Sequence, residues 1–454
     1  MRRYQFPPPF PKSLVPYNYC MDTVTPIGIT DWRNQRQPFG IKSQDRFGHI
    51  YCLGKTGVGK SSLLLSMAIS DIEQNQGVCL IDPHGDIAEK LLHYIPPERI
   101  HDVIYFNPKD LDYPIGLNPL KAVHPNHHHL IVSGLISTFK NIWAETWGPR
   151  LEYILRFCLL TLLHYPEGTL LDIQPLLVNK DFRNRVLAYV SDTHIHAFWL
   201  QEFDKYSPAL KSEAIAPILN KTGVFLASVP LRNIVGQKSQ TFNIQQVLDE
   251  GSIFIANLSK GEIGEDASSL LGSILVTSIQ LAALYRATQE EQTRKPFFLY
   301  VDECHSFVSL SFADILSEAR KYKLSLFLAH QYIDQLDEKI QSAIFGNVGT
   351  IISFRIGADD AVKMAREFHP VFSESDLINL PLYSMLIKLM IDGATSKPFS
   401  ALTLPVKNYT NYYKEQILTA SRRAFGRSRM MVEKDILSSY YIQTNAEMPT
   451  LFSE

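Results

Sequence analysis

The sequence contains little cysteine and no excess of charge of either sign. Its 454 residues include 5 cysteines, and its 44 lysines and arginines nearly balance its 46 aspartates and glutamates. The cysteines are scattered without a Cys-x-x-Cys pair, which excludes a structural zinc site and suits a reducing cytoplasm. A formal net charge of −2 provides no global basic field, so any contact with nucleic acid must come from local loops.

Long apolar segments are also scarce. The chain begins Met1-Arg2-Arg3 and continues into a proline-rich stretch at 6–11, and we expect no signal peptide because no apolar run follows. The longest uncharged stretch runs from Ala267 to Tyr285, but several serines and threonines interrupt it. It therefore predicts a buried core helix rather than a transmembrane segment.

A phosphate-binding pattern, GxxxxGKS, follows a short apolar run that ends at Leu53. Its residues are Gly54, Lys55, Thr56, Gly57, Val58, Gly59, Lys60, Ser61 and Ser62. The glycines let backbone N–H groups turn toward phosphates, and the N-terminus of the following helix adds its dipole. Lys60 can reach the β- and γ-phosphates, and the Ser61 hydroxyl can hold Mg²⁺. The pattern predicts a nucleoside-triphosphate site, the alternative being a glycine-rich turn without a ligand.

An acidic pair ends a second apolar run downstream. The run at 297–301 predicts a strand buried on both faces, and Asp302 and Glu303 follow it directly. A carboxylate at the C-terminal end of a parallel strand lies where open α/β sheets bind ligands. Asp302 can therefore enter the Mg²⁺ shell, and Glu303 can orient or deprotonate an attacking water. Glu303 favours hydrolysis over binding alone, while a pair that merely caps the next helix is the alternative.

Alternating strand and helix patterns predict an α/β fold with a mainly parallel sheet. The strand candidates are residues 49–53, 77–81, 102–106, 252–257, 297–301, 324–329, 349–354 and 384–390. Between the third and fourth candidates, apolar spacings of three and four predict helices, at 130–143, 149–164, 181–192, 193–206 and 208–228. We therefore expect an all-α domain inserted into a P-loop ATPase core. The predicted divisions are an N-terminal strap or edge strand (1–45), a first core part (46–123), the inserted domain (124–246), a second core part (247–405) and a helical tail (406–454).

Two further polar residues complete the logic of a nucleotide site. Gln331 comes just after the strand candidate at 324–329. It shares an edge with Asp302 if the two strands are neighbours, and it can then sense the γ-phosphate. Arg320 ends a predicted helix that returns to the opposite edge of the sheet, about 15 Å away. It is poorly placed for its own nucleotide but suited to act on that of a neighbouring subunit, as an arginine finger. The alternative is a cation that complements the helix dipole.

Several other polar residues leave both a functional and a structural interpretation open. Asp82 and Asp86 follow the second strand and either line the site or cap a helix. Lys260, in a turn with two glycines, either contacts a DNA phosphate or lies in a plain strand-to-helix turn. Arg355 ends a strand and either touches a phosphate or lies at the surface. The histidines near 124–129 favour a solvated helix start over a metal site, because adjacent side chains point in different directions.

These motifs resemble those of type IV secretion coupling proteins, the TraD/TraG group within the HerA/FtsK superfamily of ring ATPases. The resemblance runs in order from about residue 40 to 405. It rests on residues 54–62, 80–86, 300–303, 317–322 with 329–331, and 354–361. It implies a RecA-like motor with an inserted all-α domain, six subunits in a ring, and hydrolysis of ATP with Mg²⁺ that drives DNA through a central channel. Within that resemblance Arg320 matches the trans-acting finger, and Gln331 matches the γ-phosphate glutamine.

The chain differs from the membrane-anchored members of that group because no N-terminal pair of transmembrane segments is present in its sequence. We therefore expect a cytoplasmic location, with recruitment by relaxosome or secretion-channel proteins to the inner face of the membrane. Two other functions stay open: a HerA-like motor for DNA repair, defence or packaging, and an ATPase that moves or remodels protein. A nucleotide-binding scaffold is a third class, but Glu303 argues against it because a scaffold does not need a water-activating carboxylate.

Overall fold

A computed structural model describes residues 24–31, 36–121, 128–308, 312–407 and 411–444. Within these ranges the largest sheet has eleven strands. The strands of the described chain are β1 (Val24–Thr30), β2 (Pro38–Lys42), β3 (Ile50–Leu53), β4 (Gly77–Asp82), β5 (Val103–Phe106), β6 (Ile253–Asn257), β7 (Phe297–Val301), β8 (Leu324–His330), β9 (Thr350–Ser353), β10 (Ser384–Lys388), β11 (Met390–Ile391), β12 (Ala394–Thr395) and β13 (Phe399–Thr403).

The sheet combines a parallel centre with an antiparallel extension. Its strand order is β2-β1-β13-β10-β9-β3-β8-β7-β4-β6-β5. All neighbouring pairs from β9 to β5 are parallel. The pairs from β10 outward to β2 are antiparallel. Strand β8 therefore lies between the phosphate-loop strand β3 and the acidic-pair strand β7, and all three end at the same edge of the sheet.

Helices cover both faces of the sheet. In the described ranges they are α1 (Ser43–Arg46), α2 (Lys60–Glu73), α3 (Asp86–Leu91), α4 (His128–Ile142), α5 (Pro149–Leu163), α6 (Ile173–Val178), α7 (Lys180–Leu187), α8 (Thr193–Ala197), α9 (Pro208–Ala227), α10 (Val229–Val235), α11 (Ile244–Glu250), α12 (Lys260–Ile263), α13 (Glu265–Tyr285), α14 (Phe312–Glu318), α15 (Glu338–Asn347), α16 (Ala358–Phe368), α17 (Glu374–Ile378), α18 (Lys414–Phe425) and α19 (Arg429–Thr444). Helices α2, α3 and α18 pack on one face, and α13 to α16 pack on the other.

The alternation of side chains explains why both faces need cover. In β3, Ile50 and Cys52 belong to one hydrophobic core, whereas Tyr51 and Leu53 belong to the other. All residues of β3 and of β7 are buried, as expected for parallel strands between two helix layers. The α/β fold with a mainly parallel sheet is therefore confirmed.

The predicted core helix at Ala267–Tyr285 is α13. By length and composition its segment is able to cross a membrane, but most of it is buried inside the fold. A Cβ atom on Gly134 of α4 would lie 2.4 Å from Cγ2 of Thr277 in α13. The described helices between β5 and β6 are thus anchored to the core by the close contact of α4 with α13.

The predicted strands are all present, with ends shifted by at most two residues. The segment predicted as a strap or edge strand supplies β1 and β2, and β13 was not predicted. The expected helix at 193–206 is wrong as one element, because α8 ends at Ala197 and a π-helical turn, Phe198–Glu202, follows. In that turn Phe198 stacks on Phe157 with ring centroids 4.1 Å apart. The expected helix at 181–192 already ends at Leu187.

The tail after residue 405 folds back onto the core. Ile417 of α18 is fully buried, and the hydroxyl of Ser421 accepts a hydrogen bond from the backbone N–H of Tyr105 in β5 at 2.9 Å. Helix α19 packs against α10. The predicted boundary between the first core part and the inserted helices, at residues 123 and 124, lies outside the described residues.

Candidate nucleotide site

The phosphate loop links β3 to α2 and is clamped by three neighbouring strands. The N–H of Gly54 donates to the carbonyl of His330 in β8, and the N–H of Lys55 donates to the carbonyl of Arg355 after β9. From the start of β10, the N–H of Tyr383 donates to the carbonyl of Val58 at 2.9 Å. The ends of three strands therefore fix the backbone of the loop in place.

Glycine is required in this loop for two different reasons. Gly57 and Gly59 have φ values of 76° and 127°, in the region that side chains with a Cβ rarely adopt. A Cβ on Gly54 would lie 2.6 Å from Cβ of Phe354, so a larger residue would displace the loop. Lys55, Thr56 and Gly57 are exposed, so the tip of the loop is open to solvent.

Lys60 begins α2, and its side chain folds back across the loop. Its ammonium donates to the carbonyl of Gly54 at 2.6 Å and to that of Lys55 at 3.1 Å. The side chain is buried, whereas Ser61 on the next position of the helix is exposed. The loop thus holds a positive charge at its centre and offers a hydroxyl beside it.

Asp302 and Glu303 follow β7 at the same edge of the sheet. Both are buried, and Glu303 has a φ of 45°, which is unusual for a residue with a side chain. Among the described residues, Oδ1 of Asp302 and Oε2 of Glu303 have no hydrogen-bond partner. Buried carboxylate oxygens without partners are rare in folded proteins and call for an explanation, such as an ion. Their place beside a phosphate loop fits a Mg²⁺-nucleotide complex, which Asp302, Ser61 and Lys60 would hold.

The electrostatics of the pair point the same way. Burial raises the pKa of Asp302 to about 7, with smaller contributions from the charges of Glu303 and Asp82. The positive charge of Lys60 acts in the opposite direction on the pKa of Asp302. The protein alone therefore disfavours the charged form of Asp302, and a cation bound at the carboxylate would restore it.

Gln331 lies beside Glu303, because β8 and β7 are parallel neighbours. Its amide nitrogen donates to Oε1 of Glu303 at 2.8 Å. On the other side, Nδ1 of His305 lies 3.5 Å from Oε2 of Glu303, and Nε2 of His305 lies 3.2 Å from the amide nitrogen of Gln335. Glu303 therefore accepts a hydrogen bond from a side-chain amide on one side and has an imidazole nearby, without a hydrogen bond to it, on the other.

Arg320 lies at the opposite edge of the sheet. It is part of a 3₁₀ turn, Ala319–Tyr322, that follows α14, and it is exposed. Burial lowers the pKa of His49, which immediately precedes β3, and the charge of Arg320 adds to that lowering. Strand β8 separates this edge from Gln331 by about 20 Å at the usual rise per residue. Arg320 makes no ion pair within the described ranges, and it is not brought together with Lys60, Asp302, Glu303 and Gln331.

The structure assigns Asp82 a capping contact. Its carboxylate accepts hydrogen bonds from the backbone N–H groups of His84, Ile87 and Ala88 at 2.8 to 2.9 Å, at the start of α3. Asp86 begins that helix and is exposed.

The remaining open positions are placed as follows. Lys260 starts the one-turn helix α12. Burial lowers the pKa of the nearby His305, and the charge of Lys260 adds to that lowering. Arg355 follows β9 and is half-buried. His124 and His127 lie outside the described residues. The described part of the chain contains no group of three or more His, Cys, Asp or Glu side chains placed to hold a metal ion.

Sequence reasoning missed three residues that contact the site. His305 follows the acidic pair closely, so its proximity was a usable signal. Phe354 and Tyr383 reach the loop from β9 and β10, and only the order of the strands reveals them. The side chain of Phe354 is buried beneath the loop, while that of Tyr383 is half exposed.

Comparisons with known proteins agree with this arrangement. A family model for the DNA-binding domain of the type IV secretion-system coupling protein matches residues 38–389. The match spans more than half of the chain, which therefore belongs to this family. A search of curated proteins found no match.

Solved structures with the same fold include two of the conjugative coupling protein TrwB and one of a VirB4 protein. The unbound monoclinic form of TrwBdeltaN70 is 16% identical, with a TM-score of 0.60, over 82% of this chain and 88% of that chain. TrwB in complex with ADP and Mg²⁺ is 16% identical with a TM-score of 0.59, over 82% and 88%. VirB4 of Thermoanaerobacter pseudethanolicus is 15% identical with a TM-score of 0.51, over 88% and 99%. At these identities the likeness establishes the fold.

Proposed function

We propose that this member of the coupling-protein family hydrolyses ATP and uses the energy to move DNA, as one subunit of a homo-hexameric ring. The observation that carries the proposal is the buried carboxylate pair Asp302 and Glu303, with oxygens that have no partner in the described structure. The pair lies at the same sheet edge as the phosphate loop, and the amide of Gln331 reaches Glu303. A site for binding alone has no use for the second carboxylate.

The residues divide the chemistry between them. Lys60 places a positive charge at the phosphates, and Ser61 and Asp302 hold the metal ion. Glu303 accepts a proton from the attacking water, and Gln331 orients that water. Bound ATP with Mg²⁺ would supply the phosphoanhydride bond and the charge that balances the carboxylates.

Arg320 supports the ring. It lies at the sheet edge opposite Lys60, so it is too far from the nucleotide of its own chain to contact it. In a head-to-tail ring, a residue on that edge can face the site of the next subunit and stabilise the charge that develops during phosphoryl transfer. The family to which the chain belongs is described by its DNA-binding domain, which supports DNA as the substrate that moves. We place the ring in the cytoplasm at the inner face of a membrane, where relaxosome or channel proteins recruit it.

A titration of the ATPase rate with DNA tests the proposal. We expect single- or double-stranded DNA to increase hydrolysis at low salt. DNA binding should weaken steeply between about 50 and 200 mM salt, because phosphate contacts release counterions. Hydrolysis that DNA does not change would contradict the DNA substrate and favour an ATPase that acts on protein.

Two variants separate binding from turnover in the same assay. Lys60→Ala should lose nucleotide binding, whereas Glu303→Gln should bind Mg²⁺-ATP and hydrolyse it about 10² to 10⁴ times more slowly. Normal turnover by Glu303→Gln would remove Glu303 as the base.

A further inference from the structure

An aromatic side chain borders the phosphate loop on the side away from the acidic pair. Tyr383 precedes β10, which pairs antiparallel with β9 through Leu386 and Ser353. The start of β10 therefore lies at the edge where β9 and β3 end. Strands β8 and β7 lie on one side of β3, and β9 and β10 lie on the other. Tyr383 is thus about 10 Å to one side of the loop strand, and Asp302 is about 10 Å to the other.

Hydrogen bonds fix the backbone of Tyr383 against the loop. Its N–H donates to the carbonyl of Val58, and its carbonyl accepts from the N–H of Thr403 in β13, both at 2.9 Å. Its ring carbon Cδ1 lies 3.2 Å from the position that a Cβ on Gly59 would occupy. The ring therefore rests on the last turn of the phosphate loop.

The backbone conformation of Tyr383 is unfavourable, and burial of the side chain does not offset its cost. Its φ is 64°, in the left-handed region that a bulky residue rarely adopts. Nevertheless 52% of the residue is exposed. A residue held in such a conformation, and still open to solvent, indicates a role outside the packing of the fold.

The direction of a bound nucleotide follows from the order of the strands. Glu303, Gln331 and Asp302 lie on the β8 and β7 side, so the γ-phosphate must point that way. Lys60 and the loop hold the middle of the triphosphate. The ribose and base must then leave the loop toward β9 and β10, where Tyr383 presents its ring.

We propose that the ring of Tyr383 stacks on the base of the bound nucleoside triphosphate and forms the base-binding wall of the site. This inference rests on the proposed nucleotide function and adds a residue that recognises the nucleoside. Because every base has a π-face, stacking serves adenine and guanine alike. The wall adds affinity for a nucleoside without selecting between the two purines.

Binding of two probes, Mg²⁺-ATP and Mg²⁺-tripolyphosphate, tests the inference by calorimetry. Tyr383→Asn removes the ring but keeps a residue that tolerates positive φ. We expect this variant to bind ATP on the order of tenfold more weakly and tripolyphosphate as tightly as the parent protein. Tyr383→Phe should bind both probes like the parent, because the stacking surface remains.

A matched control is Tyr332→Ala, since Tyr332 is also half exposed, at 50%, but follows Gln331 on the opposite side of the loop. It should leave the ratio of the two affinities unchanged. Equal weakening of both probes by Tyr383→Asn would overturn the inference, because Tyr383 would then only support the loop. Unchanged binding of ATP would overturn it too. A parent protein that binds neither probe would instead contradict the proposed function itself, and the inference would fall with it.

Discussion

Arg46 and Asp302 are both ionisable and buried, but their surroundings differ. The Arg46 guanidinium donates to Asp71 at 2.5 Å, to the hydroxyl of Thr25 at 2.9 Å and to that of Tyr300 at 2.8 Å. Tyr300 in turn donates to the second oxygen of Asp71. Asp302 lies two positions beyond Tyr300 on the same stretch of chain, yet its Oδ1 has no partner among the described residues.

The difference separates a structural cluster from a functional one. In the arginine cluster, formed by Arg46, Asp71, Tyr300 and Thr25, opposite charges compensate one another, and Nε of Arg46 is the guanidinium nitrogen that has no hydrogen-bond partner among the described residues. In the carboxylate cluster, formed by Asp302 and Glu303, like charges are buried together. We propose that a bound cation compensates the charge of that cluster. Burial of an ionisable group alone would not distinguish the two clusters, but the presence of an opposite charge within the arginine cluster does.

The largest effect is expected when the carboxylate site loses the charge that a neighbouring subunit supplies. Arg320→Ala should reduce turnover by about 10³ to 10⁵, the usual loss when an arginine finger is removed. Its stability should not change, because Arg320 is exposed. Steady-state ATPase assays and urea unfolding measure the two quantities. Lys321→Ala, a change of the next exposed cation, is the control, and full activity of Arg320→Ala would show that Arg320 only complements the helix dipole.

The free energy of unfolding should respond differently in the two clusters to the loss of one carboxylate charge. Asp71→Asn leaves Arg46 buried without its ion-pair partner and should lower the free energy of unfolding by about 3 to 5 kcal/mol. Asp302→Asn should leave that free energy unchanged or raise it at pH 8 in protein without nucleotide. The pKa of Asp302 is raised to about 7, so above that pH its ionised form destabilises the fold. If urea unfolding showed that both variants lose the same free energy of unfolding, the distinction between the clusters would be wrong.

A smaller effect on the free energy of unfolding is expected from two buried histidines. His49 precedes the loop strand β3, and His330 ends the neighbouring strand β8. Burial lowers the pKa of His49 to about 4 and that of His330 to about 3. Both are neutral in the fold, while the unfolded chain takes up protons below about pH 6.5. The free energy of unfolding is therefore highest above about pH 6.5. It falls as the pH drops toward 4, by about 1.4 kcal/mol per pH unit for each histidine.

Urea unfolding between pH 7 and pH 4, the window set by these pKa values, measures this slope. His49→Asn should reduce the slope by about one proton, because asparagine does not titrate. Asparagine also tolerates the positive φ of position 49, so the substitution should keep the backbone conformation. A slope that the substitution leaves unchanged would show that His49 does not titrate as described.

The phosphate loop and the acidic pair could be predicted because each depends on neighbours in the sequence. The phosphate-loop pattern lies within a few consecutive residues, including Gly57, Gly59 and Lys60. The apolar run before Asp302 predicts the strand that carries it. Gln331 could be placed only if β8 neighbours β7, and the structure supplies that pairing.

Tyr383 could not be predicted, because its contact with Val58 depends on an antiparallel extension that joins distant parts of the chain. Nor could β13, whose partners β1 and β10 lie far apart in sequence. The expected helix at 193–206 failed because the stacking of Phe198 on Phe157, a contact between helices, accompanies a π-helical turn that local spacing does not reveal. The sequence therefore predicted the motifs formed by neighbouring residues, but not the contacts between distant parts of the chain.

The most direct test mixes two inactive proteins. Arg320→Ala keeps an intact phosphate loop, and Lys60→Ala keeps an intact Arg320, so a mixed ring contains interfaces at which both halves of the site are whole. We expect the ATPase activity of the mixture to rise well above that of either protein alone, in hybrid rings identified by native mass spectrometry. Hybrid rings that stay as inactive as the separate variants would contradict a site shared between the carboxylate cluster of one subunit and Arg320 of the next.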